Sequence, residues 1–268
     1  MRKTLFTIAG FLLLGVAVFF GVKFFLDAYS PRNLTTEQLG RASIEVQEVS
    51  LDGGEVVNPD YASDVETDDS GDLVIDFAAL QAINPDIYAW LEIPGTDISY
   101  PVVQHPDDDS YYLRRNSDRE YSAGGAIFSE ATYNSTDLND PVTILYGHHM
   151  NAGNLMFGHL QNYFSDPEFL DSDPIIRLYT PEGTLEYAVF AAVPFNNQHI
   201  LYYNNMQDPV LYDAFFSSLL TMRELGSYIN EDYLPSDPET DRVLILSTCL
   251  EGNNTRRFLV MASLMSDF

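Results

Sequence analysis

The sequence predicts a mostly β domain, built as a largely antiparallel barrel and tethered to a membrane at its N-terminus. Three observations carry this reading: a succession of short apolar strands bounded by turn signals, helical stretches set between them, and an uncharged N-terminal run.

The anchor comes first. Thr4 to Val22 carries no charge, and the apolar character resumes after Lys23 with Phe24-Phe25-Leu26, a length that crosses roughly 30 Å of hydrocarbon. Arg2 and Lys3 precede it, so residues 1–3 are assigned to the cytoplasm, residues 4–26 to a single membrane span, and the rest to the extracellular face. The run is long for a signal-peptide core and no small-x-small site follows it, so the span is expected to stay uncleaved. Residues 27–72 are poor in aromatic residues and rich in acids, as in Glu66-Thr67-Asp68-Asp69-Ser70-Gly71-Asp72, and read as a flexible tether with one weak helical stretch at Thr35–Val49. Residues 73–268 are expected to form one folded domain, as a chain of 268 residues with 46% hydrophobic and 13% aromatic content allows.

Within that domain Phe77–Ile83 reads as a short amphipathic helix ended by Asn84-Pro85. The period then changes. Ala89–Ile93 and Ile98–Val103 read as strands joined by the turn Pro94-Gly95-Thr96-Asp97, and further strands are expected at Ala126–Phe128, Val142–Tyr146, Ile175–Tyr179 and Leu185–Val193. A short helix is expected around Leu155–Tyr163 and a longer one over Pro209–Leu225, whose apolar positions include Val210, Leu211, Ala214, Phe215, Leu219 and Met222. Arg242–Ser247 and Arg257–Leu264 close the set as strands. The chain ends shortly afterwards, without the apolar segment and basic tail expected of a protein that is itself anchored to a cell wall.

Composition removes several functions. A net charge of -27, from 40 acidic against 13 basic residues, is a poor partner for a phosphate backbone, so nucleic acid is excluded as a ligand. Asp107-Asp108-Asp109 lacks the alternating spacing of a calcium loop, and a zinc set drawn from His148, His149, His159 and Cys249 matches no common ligand pattern, so no metal is assigned. No P-loop, dinucleotide fingerprint or internal repeat is present, and no cofactor is expected.

The one cysteine, Cys249, rules out an intramolecular disulfide. It ends the apolar run Val243-Leu244-Ile245-Leu246-Ser247-Thr248 and precedes the polar segment Glu251-Gly252-Asn253-Asn254-Thr255, where a thiol could meet solvent and substrate. A nucleophilic thiol needs a base or cation nearby; a buried structural thiol does not. His148 and His149 follow Val142–Tyr146 across Gly147, and Arg256 and Arg257 open the last strand. Alternation does not choose between the arginines, because apolar residues occupy both faces of Phe258-Leu259-Val260-Met261-Ala262.

Several segments, taken in order, resemble class B sortases: Ile83-Asn84-Pro85-Asp86 with Trp90, Tyr100-Pro101-Val102-Val103-Gln104, Tyr111-Tyr112-Leu113, Tyr146-Gly147-His148-His149-Met150, Met156-Phe157 with Leu160, and Leu246-Ser247-Thr248-Cys249 with Arg257 before Phe258-Leu259-Val260. The resemblance spans Phe77 to Ser263. It implies a sortase-type eight-stranded β-barrel with an N-terminal helical extension and a long helix before the cysteine strand. It implies a cysteine transpeptidase with Cys249 as nucleophile, His148 as general acid/base and Arg257 as oxyanion support, and a peptide groove lined by Leu113, Tyr146 and Ser247. The implied partners are secreted proteins bearing a C-terminal sorting motif and an amine acceptor, either of a peptidoglycan precursor or of a pilin lysine. A hydrolytic cysteine protease is the alternative from another class. Asp109 where the family often has asparagine, Leu250 directly after the cysteine, and Glu251 two residues after it leave the sorting motif open.

Overall fold

The computed structural model describes residues 65–67, 73–150, 155–172, 174–222 and 227–265. The expected span at 4–26, the helical stretch at Thr35–Val49 and most of the 27–72 tether lie outside the described residues. Among the described residues no helix is long and apolar enough to cross a membrane.

Strands β1 (Val65–Thr67) and β2 (Leu73–Ile75) pair antiparallel in a small sheet that straddles the expected tether boundary. Helix α1 (Phe77–Ile83) follows, capped by the Asp76 carboxylate, which accepts the Ala79 N–H at 3.0 Å, and it ends at Asn84 as expected. The barrel then begins with β3 (Ile87–Glu92), β4 (Ser99–Val103), β5 (Ile127–Phe128) and β6 (Val142–Tyr146). Two single-turn helices, α2 (Leu160–Tyr163) and α3 (Pro167–Leu170), lead to the long hairpin of β7 (Ile175–Thr180) and β8 (Gly183–Phe195). After α4 (Ile200–Tyr203), α5 (Pro209–Leu219) and β9 (Tyr228–Ile229), the chain closes with β10 (Val243–Leu250) and β11 (Asn253–Leu264).

The sheet order is β11-β10-β6-β5-β4-β3-β7-β8-β9, nine strands, and β11 also pairs with β8. That pairing closes the eight strands other than β9 into a barrel, so only β9 hangs on the outside of β8. Most pairs are antiparallel; β4–β5 and β6–β10 are parallel.

Alternation along β10 explains its unbroken apolar run. Leu244 and Leu246 face the barrel interior with Leu91, Leu145, Phe258 and Val260, while Val243 and Ile245 face outward into a second cluster with Tyr212, Phe215, Phe216 and Leu219 of α5. Both faces are therefore buried, each large side chain contributing roughly 1.5–3 kcal/mol by leaving water. Asp208 and Pro209 start α5: the carboxylate accepts from Val210 and Leu211 N–H, and proline fills the first turn.

Three expectations are corrected. The Leu155–Tyr163 helix is only Leu160–Tyr163, because Met156 takes a left-handed φ of 55° and bridges His149. The long helix stops at Leu219, with Ser217 and Ser218 carbonyls accepting from Leu220, and the residues from 223 to 226 fall outside the description. The polar segment after Cys249 is not a loop: Glu251-Gly252 alone turns the chain, with Gly252 at φ 70°, and Asn253 already belongs to β11.

Candidate active site

Cys249 and His148 follow the same ends of a parallel strand pair. In β6 and β10, Val142 stands beside Val243 and Tyr146 beside Ser247, and the Gly147 N–H continues the pairing by donating to the Ser247 carbonyl at 3.2 Å. Parallel strands end at the same rim, so the residues that follow Tyr146 and Ser247 meet there. The third partner arrives from the other side. β11 runs antiparallel to β10, with Arg257 directly opposite Cys249, and Arg257 Nη1 lies 3.8 Å from Cys249 Sγ.

Parity fixes which way these residues face. Tyr146 follows Val142 and Ile144, Ser247 and Cys249 follow Val243 and Ile245, and Arg257 precedes Leu259 and Met261; every one of these apolar residues belongs to the outer cluster. Tyr146, Ser247, Cys249 and Arg257 thus share the outer face of the barrel, at the rim. Arg256 has the opposite parity, and its Nε donates to the Phe195 carbonyl at 3.4 Å. The choice between the arginines, which alternation leaves open, falls by geometry on Arg257, the one the resemblance implies. Its guanidinium is oriented by the carbonyls of Asn254 at 3.1 Å and Arg256 at 3.3 Å. The thiol is less open than a loop position would make it, since Cys249 is only 8% exposed.

His148 is also buried, and its Nε2 lies 2.8 Å from the Leu113 carbonyl oxygen. A carbonyl only accepts, so Nε2 carries the proton and Nδ1 is the ring nitrogen left to exchange one. Burial lowers the His148 pKa below its ordinary value; the hydrogen bond to Leu113 opposes this, and the positive charges of Arg114 and Arg257 reinforce it. A side chain at Gly147 would displace its neighbours, since a Cβ would stand 2.6 Å from Ile127 Cδ1 and from Phe157 Cδ2. The following histidine, His149, forms an isolated bridge with Met156 instead.

Leu113 lies in a single 3-10 turn, Tyr111–Arg114, held by a buried polar knot that the sequence did not reveal. The Asn84 amide donates to Tyr112 Oη at 2.8 Å and to the Ser117 carbonyl at 2.7 Å. Tyr112 in turn donates to Asp86 Oδ2 at 2.6 Å, and Arg119 approaches the same oxygen at 2.9 Å. Burial, together with the Asp86 carboxylate, pushes the Tyr112 pKa up to about 12, so the phenol stays a donor. Among the described residues no group of three or more histidine, cysteine, aspartate or glutamate side chains could hold a metal ion.

A thiol, an imidazole and a guanidinium on one rim of an eight-stranded barrel are the parts that acyl transfer requires. The family model described as the sortase domain matches residues 91–265. The chain belongs to the sortase family. It falls with the class B sortases: it is 30% identical to sortase B of Staphylococcus aureus over 191 residues, 70% of this chain and 74% of that one. It is 29% identical to sortase B of Listeria monocytogenes over 238 residues, 88% of this chain and 86% of that one. Among solved structures, a Streptococcus pyogenes class B sortase involved in pilus biogenesis superposes with a TM-score of 0.58 at 28% identity, covering 71% of this chain and 98% of that one. Sortases are cysteine transpeptidases associated with the cell surface, and the chain carries one cysteine, Cys249.

Proposed function

We propose that this sortase cleaves a C-terminal sorting motif of secreted proteins and transfers the acyl fragment to an amine of a peptidoglycan precursor, from a position at the outer membrane face secured by the span at residues 4–26. The observation that carries the reading is the Cys249–Arg257 pair, with Nη1 3.8 Å from Sγ, at the end of the strand that runs parallel to the one leading to His148.

Cys249 gives its thiol proton to His148 Nδ1 and, as thiolate, attacks a backbone carbonyl of the motif. Arg257 stabilises the thiolate before attack and the oxyanion after it, from one fixed position. His148 delivers the Nδ1 proton to the leaving amine as the C–N bond breaks, and the thioester remains. The acceptor amine then loses a proton to His148, attacks the thioester carbonyl and expels the Cys249 sulfur. Leu113, Tyr146 and Ser247 line the groove that holds the motif. No cofactor takes part. The chain has no lysine after Lys23, so no ε-amine of the domain itself competes with the acceptor.

A pilin lysine is the second acceptor reading, favoured by the similarity to the S. pyogenes sortase involved in pilus biogenesis. The test is incubation of the full chain with sorting-motif peptides and either a peptidoglycan-type or a lysine-type amine. Amine-dependent product that disappears in Cys249→Ala supports transfer, and the better amine names the acceptor. Cleavage indifferent to amine would make the protein a hydrolytic protease.

A further inference from the structure

Beside Tyr146 lies a buried carboxylate–imidazole pair that the chemistry above does not use. Glu130, just past β5, and His199, which caps α4, have side chains each 5% exposed, and His199 Nε2 lies 2.6 Å from Glu130 Oε2. The other ring nitrogen fixes the tautomer. Nδ1 accepts the Tyr202 N–H at 3.1 Å, so Nε2 carries the proton and donates it to Glu130.

The Tyr146 hydroxyl joins the same cluster, 3.4 Å from His199 Nε2. Burial first, and then the charge and hydrogen bonding of the Glu130 carboxylate, hold its pKa well above the ordinary value, so the phenol is a permanent donor there. Tyr133 packs on the His199 ring, with centroids 4.5 Å apart. The pair therefore joins three distant pieces of chain: the end of β5, the end of β6 two residues before His148, and the segment leaving β8 after Phe195, which is itself paired with Arg257. A buried carboxylate and imidazole are costly to desolvate and are weak evidence for stability, which leaves geometry as their contribution.

We propose that Glu130 and His199 are positioning residues of the peptide groove: together they fix the Tyr146 phenol and the Asn196–Tyr203 segment as one wall, on which substrate binding depends. This rests on the reading of Tyr146 as a groove residue. His199 also sets the direction of α4, whose Tyr202 and Tyr203 stand 53% and 52% exposed.

Two substitutions in the full chain separate the pair from the cap. His199→Asn keeps a side-chain acceptor for the α4 N–H but is too short to reach Glu130, and Glu130→Gln keeps the shape and removes the charge. The measurements are KM and kcat for amine-dependent transfer, and the rate of Cys249 alkylation by iodoacetamide. Loss of a hydrogen bond to a buried carboxylate is expected to raise KM about tenfold in His199→Asn, with kcat nearly unchanged and alkylation at the wild-type rate. Glu130→Gln raises KM in the same direction, and adding Tyr146→Phe to His199→Asn raises it no further. An unchanged KM in both variants, a parallel fall of kcat and alkylation, or additive effects with Tyr146→Phe would overturn the proposal; if His199→Asn does not fold, Glu130→Gln decides. Wild-type turnover with an unmoved KM overturns the positioning role alone, whereas a wild-type chain that forms no amine-dependent product overturns the transpeptidase reading and this one with it.

Discussion

Arg257 stands directly opposite Cys249 across the β10–β11 pair, and its Nη1 comes within 3.8 Å of the sulfur. The two carbonyls of Asn254 and Arg256 hold the guanidinium in that place. A group fixed before the reaction costs no reorganisation during it, so Arg257→Ala is expected to lower kcat by about 10²–10³, the size found for loss of one oxyanion donor. Arg257→Lys recovers only part of this, because an ammonium lacks the planar fork that the carbonyls orient. Arg256→Ala is the control. Steady-state kinetics with an amine acceptor checks all three, and an equal loss in Arg256→Ala would remove Arg257 from its role.

The second prediction concerns acid. His148 has a folded pKa below its unfolded value, chiefly through burial. The unfolded chain then binds the proton more readily, so stability rises with pH in this window. The contribution of neutral His148 is complete above the ordinary value of 6.5 and is lost as the pH falls through the folded value. Denaturant titrations from pH 8 to pH 5 should show the wild type losing more stability than His148→Asn. A parallel decline of both would contradict the shift.

How much of this site was legible in the sequence depends on the signal each part leaves. Val142–Tyr146 was readable to the residue, because a continuous apolar run is bounded by Pro141 and Gly147. The choice of arginine was readable only through the family resemblance and not from alternation. Alternation marks a face only where one side meets water, and α5 covers the outer face of β10 and β11. The common rim of the segments carrying His148 and Cys249 comes from a parallel pairing between strands far apart in sequence, which leaves no local trace. Glu130 and the Asn84–Asp86–Tyr112 knot were invisible for the same reason: each polar group is explained only by partners that the fold brings to it.

The close packing around Gly147 yields a stability prediction. A Cβ there would stand 2.6 Å from Ile127 Cδ1 and from Phe157 Cδ2, and Phe157 is fully buried in the main core. Gly147→Ala is expected to cost about 1–3 kcal/mol through overpacking. At roughly 2–4 °C per kcal/mol for a domain of this size, the thermal midpoint should fall measurably. Activity should fall further than stability, since the residue displaced next is His148. Calorimetry beside kinetics checks the pair, and an unchanged midpoint would show that Ile127 and Phe157 can move aside.

Gly125 tests the carbonyl that orients His148. It sits at φ 60°, and a Cβ on it would lie 2.6 Å from the Tyr112 carbonyl oxygen and 2.8 Å from that of Leu113. These are backbone atoms, braced by the Tyr112–Asp86 knot, and they cannot rotate away as a side-chain tip would. Gly125→Ala therefore moves the Leu113 carbonyl off His148 Nε2 and adds about 1–2 kcal/mol of left-handed strain. The Leu113 hydrogen bond raises the His148 pKa against the effect of burial, so its loss lowers that pKa further. The imidazolium is then scarcer at neutral pH, and its ring is no longer held. A fall in kcat of about tenfold or more is expected, within the range that general acid–base catalysis supplies. NMR titration of His148 in Gly125→Ala separates this from a plain loss of stability: a downward shift of its midpoint supports the role of Leu113, and an unshifted midpoint with reduced kcat would assign the damage elsewhere.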